Sequence, residues 1–273
     1  MYSQLLGLCV LGNSFGISSG SFSFTNLDLA NATNHTQTRY LQAEKTLRMT
    51  KNITLLILIF IISSCSAQEN LKDFYYPFSN KTETKVYKYV DKKDSTKIEY
   101  WKVTSIPKTN ELKTVSYDSD FNVYNTFDEI ITESGAELTA YSDFELNDKD
   151  ERKEIKAKVI DKDVYKWNGD NEYTYSVKYV NKYGRFEFKK KRKKIGFETI
   201  TVNGKDYKTV KFKDEYFINA IDQNDEYRFY QNTFYAENIG MVKYERYIPN
   251  RTIELELAEI LSEREFEKIK ASR

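Results

Sequence analysis

Apolar and polar residues alternate with a period of two through most of residues 84–259, and no other feature constrains the fold as strongly. Tyr173, Tyr175, Val177 and Tyr179 alternate with Thr174, Ser176 and Lys178. Phe186 and Phe188 alternate with Arg185, Glu187 and Lys189, and Ile253, Leu255 and Leu257 with Thr252, Glu254 and Glu256. Successive strand side chains point to opposite faces, so the pattern describes strands buried on one side. Turn residues separate the runs: Asn168-Gly169-Asp170, Tyr183-Gly184, Asn203-Gly204, Asn224-Asp225, Asn238-Ile239-Gly240 and Pro249-Asn250. Asn203-Gly204 is the strongest hairpin signal, because both residues tolerate the positive φ of a two-residue turn.

The expected strands lie near 84–91, 96–104, 111–118, 121–133, 136–146, 151–160, 163–168, 172–181, 185–192, 196–202, 206–213, 216–222, 226–235, 240–248 and 251–259. Short turns between them predict an antiparallel meander. No helical pattern separates strands, which argues against βαβ folds. The expectation is an all-β chain, an antiparallel meander forming a large curved sheet, half-barrel or sandwich. Residues 261–271, rich in Glu and Lys with Phe266 and Ile269 three apart, add a short C-terminal amphipathic helix or a frayed tail.

Ahead of this domain, residues 49–67 have the parts of an export signal. Met49 and Lys51 give a cationic start, Ile53 to Ile62 an apolar run, and Ser63 to Ala67 a stretch of small residues. Ten residues span only about 15 Å as a helix, too short for a bilayer core about 30 Å thick. A buried core strand is the bland alternative. Residues 1–48 are rich in Ser, Asn, Gly and Leu and contain the single histidine, His35. We expect them to be an unstructured upstream extension, with Met49 the functional start and 68–273 the β-rich mature domain.

Ile62-Ser63-Ser64-Cys65 resembles a bacterial lipobox, in which the cysteine is diacylated and becomes the new N-terminus. That would tether the protein to the membrane through a lipid on Cys65, at the outer membrane or the periplasmic face. Cleavage after Ala67, giving a soluble periplasmic or secreted protein, is the competing route.

Four of the 42 Lys and Arg and two of the 41 Asp and Glu precede Ser66, leaving 38 cations against 39 anions. Such a balance disfavours nucleic acid as a partner, which calls for a net positive face. After Cys65 there is neither cysteine nor histidine, which excludes internal disulfides there and removes the usual general base, Ser-His and Cys-His nucleophiles and most zinc sites. No cofactor is indicated. Any chemistry would rest on carboxylates, Tyr or Lys.

Lys189, Lys190, Lys191, Arg192, Lys193 and Lys194 form an unbroken basic run. Beside a lipid anchor it would meet anionic headgroups, each charge contributing about 1 kcal/mol near such a surface. The plainer account is a solvated strand end and turn. Asn147-Asp148-Lys149-Asp150-Glu151 and Asp222-Gln223-Asn224-Asp225-Glu226 crowd oxygens into turns, but without the glycine and distant glutamate of a calcium loop; turn chemistry explains them. Asp94-Ser95-Thr96 resembles a Bacteroidetes O-glycosylation acceptor and is short enough to arise by chance. No pair of carboxylates stands out for acid–base catalysis.

Three segments together resemble a group of uncharacterised exported proteins of Bacteroidetes, sometimes labelled TapB-like. They are Tyr76-Pro77-Phe78 with Val86-Tyr87-Lys88-Tyr89, the hairpin Thr201 to Val210, and Phe234-Tyr235-Ala236-Glu237-Asn238-Ile239-Gly240-Met241-Val242-Lys243-Tyr244-Glu245. The group's usual Gly and Trp are absent from the first segment, and Asn238 replaces a glycine in the third. The resemblance implies a β-rich fold and brings no catalytic residues. The expected function is a cell-envelope lipoprotein acting as a binding or structural module, with an envelope protein or a hydrophobic ligand as partner. A carrier or sensor of hydrophobic ligands in a curved-sheet cavity is the second expectation, and a carboxylate-dependent hydrolase a distant third.

Overall fold

A computed structural model describes residues 70–146, 152–168 and 172–272. The strands are β1 (Glu83–Asp91), β2 (Ile98–Ile106), β3 (Glu111–Tyr117), β4 (Val123–Ile131), β5 (Gly135–Leu146) and β6 (Arg152–Lys166). They continue as β7 (Tyr173–Asn181), β8 (Gly184–Val202), β9 (Lys205–Ala220), β10 (Asp225–Ala236), β11 (Gly240–Ile248) and β12 (Arg251–Ser262). Each pairs antiparallel with its sequence neighbours, and β1 pairs with β12, so the meander closes on itself as a barrel. Closure satisfies both sheet edges. The expected all-β antiparallel meander and its large curved sheet are borne out, and the curvature goes to completion as a closed barrel.

The turns form where the sequence places special backbone geometry. Asn203 and Gly204 have φ of 50° and 75°, as a two-residue hairpin requires. Asn224, Asn238 and Asn250 also adopt positive φ between strands.

Three expected breaks are absent, at 161–162, 193–195 and 214–215. At the first two the strand continues through a β-bulge, between Val159 and Asp161 and between Lys194 and Gly196. A bulge inserts one unpaired residue and re-aims the strand without ending it, so the alternation slips while pairing resumes. At the third, the polar pair Asp214-Glu215 interrupts the apolar pattern, but Asp214 points inward within a regular ladder.

One end of the barrel is stopped by the segment before β1. Leu71–Phe74 form a single 3-10 turn capped by Asn70, whose side chain accepts from the Lys72 N–H. The Leu71 N–H donates to Trp167 O, and the Asn238 N–H donates to Asp73 O. These bonds lead Tyr75 and Tyr76 into the barrel, where Tyr75 packs on Tyr165, Trp167 and Tyr235 and Tyr76 on Tyr87.

The chain ends as α1 (Glu263–Ala271), a helix and not a frayed tail, started by a capping box between Ser262 and Glu265. Its buried Phe266 lies 5.4, 5.1 and 5.7 Å from the rings of Tyr100, Tyr117 and Phe121. These residues belong to a second apolar cluster, separate from the main core.

The opposite face of the strands carries charge. Lys191 pairs with Glu172, Lys178 with Glu187, Lys211 with Glu198 and Lys213 with Glu215. A membrane-spanning barrel presents an apolar band outward, so this outer wall suits water. Among the described residues no helix is long and apolar enough to cross a membrane.

Candidate functional site

Transverse pairing across β7 to β11 builds the inner wall. One row runs Tyr175, Lys190, Tyr216, Phe229, and the next runs Tyr173, Arg192, Asp214, Gln231, Arg246. The period-two pleat thus divides the basic run. Lys190 and Arg192 turn inward with exposures of 8% and 2%, while Lys193 is exposed and Lys191 half-buried against Glu172. The six-residue run is neither one surface patch nor a strand end: it lies mid-strand, and two of its members are sealed from any headgroup.

Asp214, with an exposure of 0%, anchors both inward cations. Arg192 donates to it through Nε at 2.7 Å and Nη2 at 2.8 Å, and Lys190 Nζ lies 3.0 Å from Oδ2. Thr233 Oγ1 donates a further bond at 3.2 Å. Rings complete the shell, with the Arg192 guanidinium 5.0 Å from Phe212 and 5.1 Å from Tyr235. Burial alone would raise the Asp214 carboxyl, but Arg192 and Lys190 outweigh it and hold the group below the usual carboxylate range. Burial, reinforced by the neighbouring Arg192 charge and opposed by Asp214, pushes Lys190 down to about 8.

Two further carboxylates face inward. Glu129, between Phe127 and Ile131, accepts from the Tyr75 hydroxyl. Burial pushes it up to about 7 against the pull of that hydrogen bond and of Arg192 and Lys190. Glu99 accepts from Trp101 Nε1 at 3.1 Å, Tyr124 Oη at 2.9 Å and Tyr244 Oη at 2.8 Å.

Between the strap formed by Leu71 to Tyr76 and the opposite end of the barrel, its mouth, lies a cavity of about 300 Å³. Its floor is buried and formed by Tyr75, Glu129, Val164 and Tyr235, and its upper wall is half-buried and includes Asn125, Tyr141, Phe188 and Arg246. Tyr76, Tyr141, Tyr175 and Tyr216 line it, and the Tyr76 hydroxyl is buried without a hydrogen-bond partner among the described residues. Aromatic walls with a few convergent polar groups are the usual make-up of a small-molecule site.

Cys65, residues 1–48, the export signal and the 147–151 oxygen cluster lie outside the described residues. Asp222 takes the turn role, accepting from the Arg185 backbone and side chain at 2.8 Å each. Asp94 likewise accepts from Thr96 N and Oγ1 within its own turn. Among the described residues no group of three His, Cys, Asp or Glu is placed to hold a metal.

No protein-family model matches the chain, and no curated protein matches it. Similar solved structures include a lipoprotein candidate from Parabacteroides distasonis, 17% identical, covering 67% of this chain and 97% of that one with a TM-score of 0.40. Another is an exported-protein candidate with a YmcC-like fold from Bacteroides fragilis, 14% identical, covering 70% of this chain and 100% of that one with a TM-score of 0.42. Both neighbours come from Bacteroidetes. Likenesses this shallow leave the chemistry to the residues themselves.

Proposed function

We propose that the chain is an exported cell-envelope protein whose barrel binds a small amphipathic molecule, as a carrier or sensor. The observation that carries this is the cavity of about 300 Å³ between strap and mouth. It falls at the small end of the range for ligand sites, about 300–1,000 Å³, enough for one compact molecule and too little for a two-chain lipid. A barrel serving only as a scaffold would fill its interior to ordinary packing density. Here the open space is lined by aromatic residues such as Tyr141, Tyr175, Phe188 and Tyr216. Export and tethering through Cys65 rest on the residues of the 49–67 segment.

Binding is favoured over hydrolysis because the inward carboxylates are already engaged. Asp214 is held by two cations, Glu99 by three donors, and Glu129 by Tyr75. The test is titration with N-phenyl-1-naphthylamine, a neutral probe that fluoresces in apolar surroundings. Saturable one-site binding is expected, abolished by Asn125→Trp at the mouth. Absence of binding, or equal binding by the Trp variant, would refute the reading.

A further inference from the structure

We propose that the ligand is a small organic acid, its carboxylate seated between Lys190 and Arg246 and its apolar body among the cavity's rings. This rests on the binding reading above and names the chemistry of the ligand. Lys190 and Arg192 share a single carboxylate, Asp214, and Arg192 takes both of its oxygens. Lys190 is therefore left with ammonium protons to offer.

Arg246 is less committed. Its Nε donates to Gln231 Oε1 at 2.9 Å, while Nη1 and Nη2 have no hydrogen-bond partner among the described residues. The interior carboxylate Glu99 accepts from Trp101, Tyr124 and Tyr244; it acts on Arg246 through space, favouring its charged form, but no hydrogen bond or ion pair joins the two. On this stretch of wall, cationic donors outnumber the anions free to receive them.

The two cations flank one seat. Lys190 pairs in register with Tyr216, which stacks on Phe229 with ring centroids 4.5 Å apart. Arg246 pairs with Gln231 one inward row below Phe229 and lies over the Tyr244 ring at 5.0 Å. The two charges are close enough that Arg246 weakens proton binding at Lys190. An incoming carboxylate would relieve that repulsion, accept the open end of the guanidinium fork and reach the Tyr216 hydroxyl. Charge-assisted bonds of this kind are about twice as strong as neutral ones. The remaining walls, Phe127, Tyr141, Tyr175 and Phe188, offer ring faces to an apolar body.

The experiment is isothermal titration calorimetry of the protein with decanoate, decan-1-ol and decylammonium at pH 7. Decanoate should bind about tenfold or more tighter than the alcohol, as expected for hydrogen bonds to charged donors, and decylammonium weakest. Arg246→Gln, a change at a half-buried position, should bring the ratio of decanoate to decan-1-ol affinity close to one. Lys190→Met should do the same. Equal binding of acid and alcohol, or an Arg246→Gln variant that weakens both alike, would overturn the acid assignment while leaving the binding site standing. Failure of all three, together with the neutral naphthylamine, would overturn both.

Discussion

Glu129 is buried beside the strap with an exposure of 2%, and its conversion to Gln tests the electrostatics of the interior. Its carboxyl is pushed from 4.5 to about 7 by burial, with the Tyr75 hydrogen bond, Arg192 and Lys190 opposing and Asp128 adding to the rise. An acid whose folded value is raised contributes stability that is fully present below 4.5 and is lost as pH rises toward 7. Each tenfold change in proton affinity is worth about 1.4 kcal/mol, so the shift amounts to about 3 kcal/mol. Gln keeps an oxygen for the Tyr75 hydroxyl and removes the charge. Wild type and Glu129→Gln should therefore be similar near pH 4 and diverge above it, the variant gaining about 3 kcal/mol by pH 8. For a domain of this size that is about 6–12 °C in Tm. Urea unfolding at each pH, with unchanged m-values, measures the gap directly. A gap that does not widen between pH 4 and 8 would refute the raised carboxyl and the burial behind it.

Asp214→Asn leaves Arg192 and Lys190 buried without an anion and should cost about 3–5 kcal/mol; adding Lys190→Met should recover part of it in the same unfolding assay. Gly240→Ala combines a φ of 99° with a Cβ placed 2.5 Å from Tyr76 Cδ1, so it should destabilise by about 1–3 kcal/mol and raise protease sensitivity at the strap. Phe266→Ala, at a fully buried position, should cost about 3–5 kcal/mol and release α1, seen as faster amide exchange over 263–271.

Much of the barrel was legible because the inward set repeats every second residue. Tyr173, Tyr175 and Val177 are buried as the alternation requires, and so are Leu255 and Leu257. The bulges in β6 and β8 were not, because an inserted residue shifts the pattern just as a turn does. Closure was invisible for a different reason. The β1–β12 ladder joins Val86 to Leu261, and nothing in a local period tells whether the first and last strands meet. Gly240 was legible as a turn residue, but not as the place where the Tyr76 ring touches backbone.

The site shows where composition hides geometry. Phe186 and Phe188 set the inward parity of β8, and continuing it by two and four residues selects Lys190 and Arg192. The run of six bases masks that parity, because an unbroken block of like charge reads as one property of a surface. Asp214 carried the matching signal, a carboxylate in step with the inward Phe212 and Tyr216, and Glu129 sits likewise between Phe127 and Ile131. A charge at an inward position of a strand has to be paired or neutralised, so such residues select one another across the barrel. Asp214 with Arg192 is such a pair, and Glu129 escapes by holding its proton up to about 7. Arg246 follows neither course fully: Glu99 favours its charge through space and Gln231 takes its Nε, but its two terminal nitrogens make no hydrogen bond among the described residues. An interior built only for stability would have matched that guanidinium or replaced it with an apolar side chain. Among the described residues its open end has no acceptor, and that is where the proposed carboxylate would complete the arrangement.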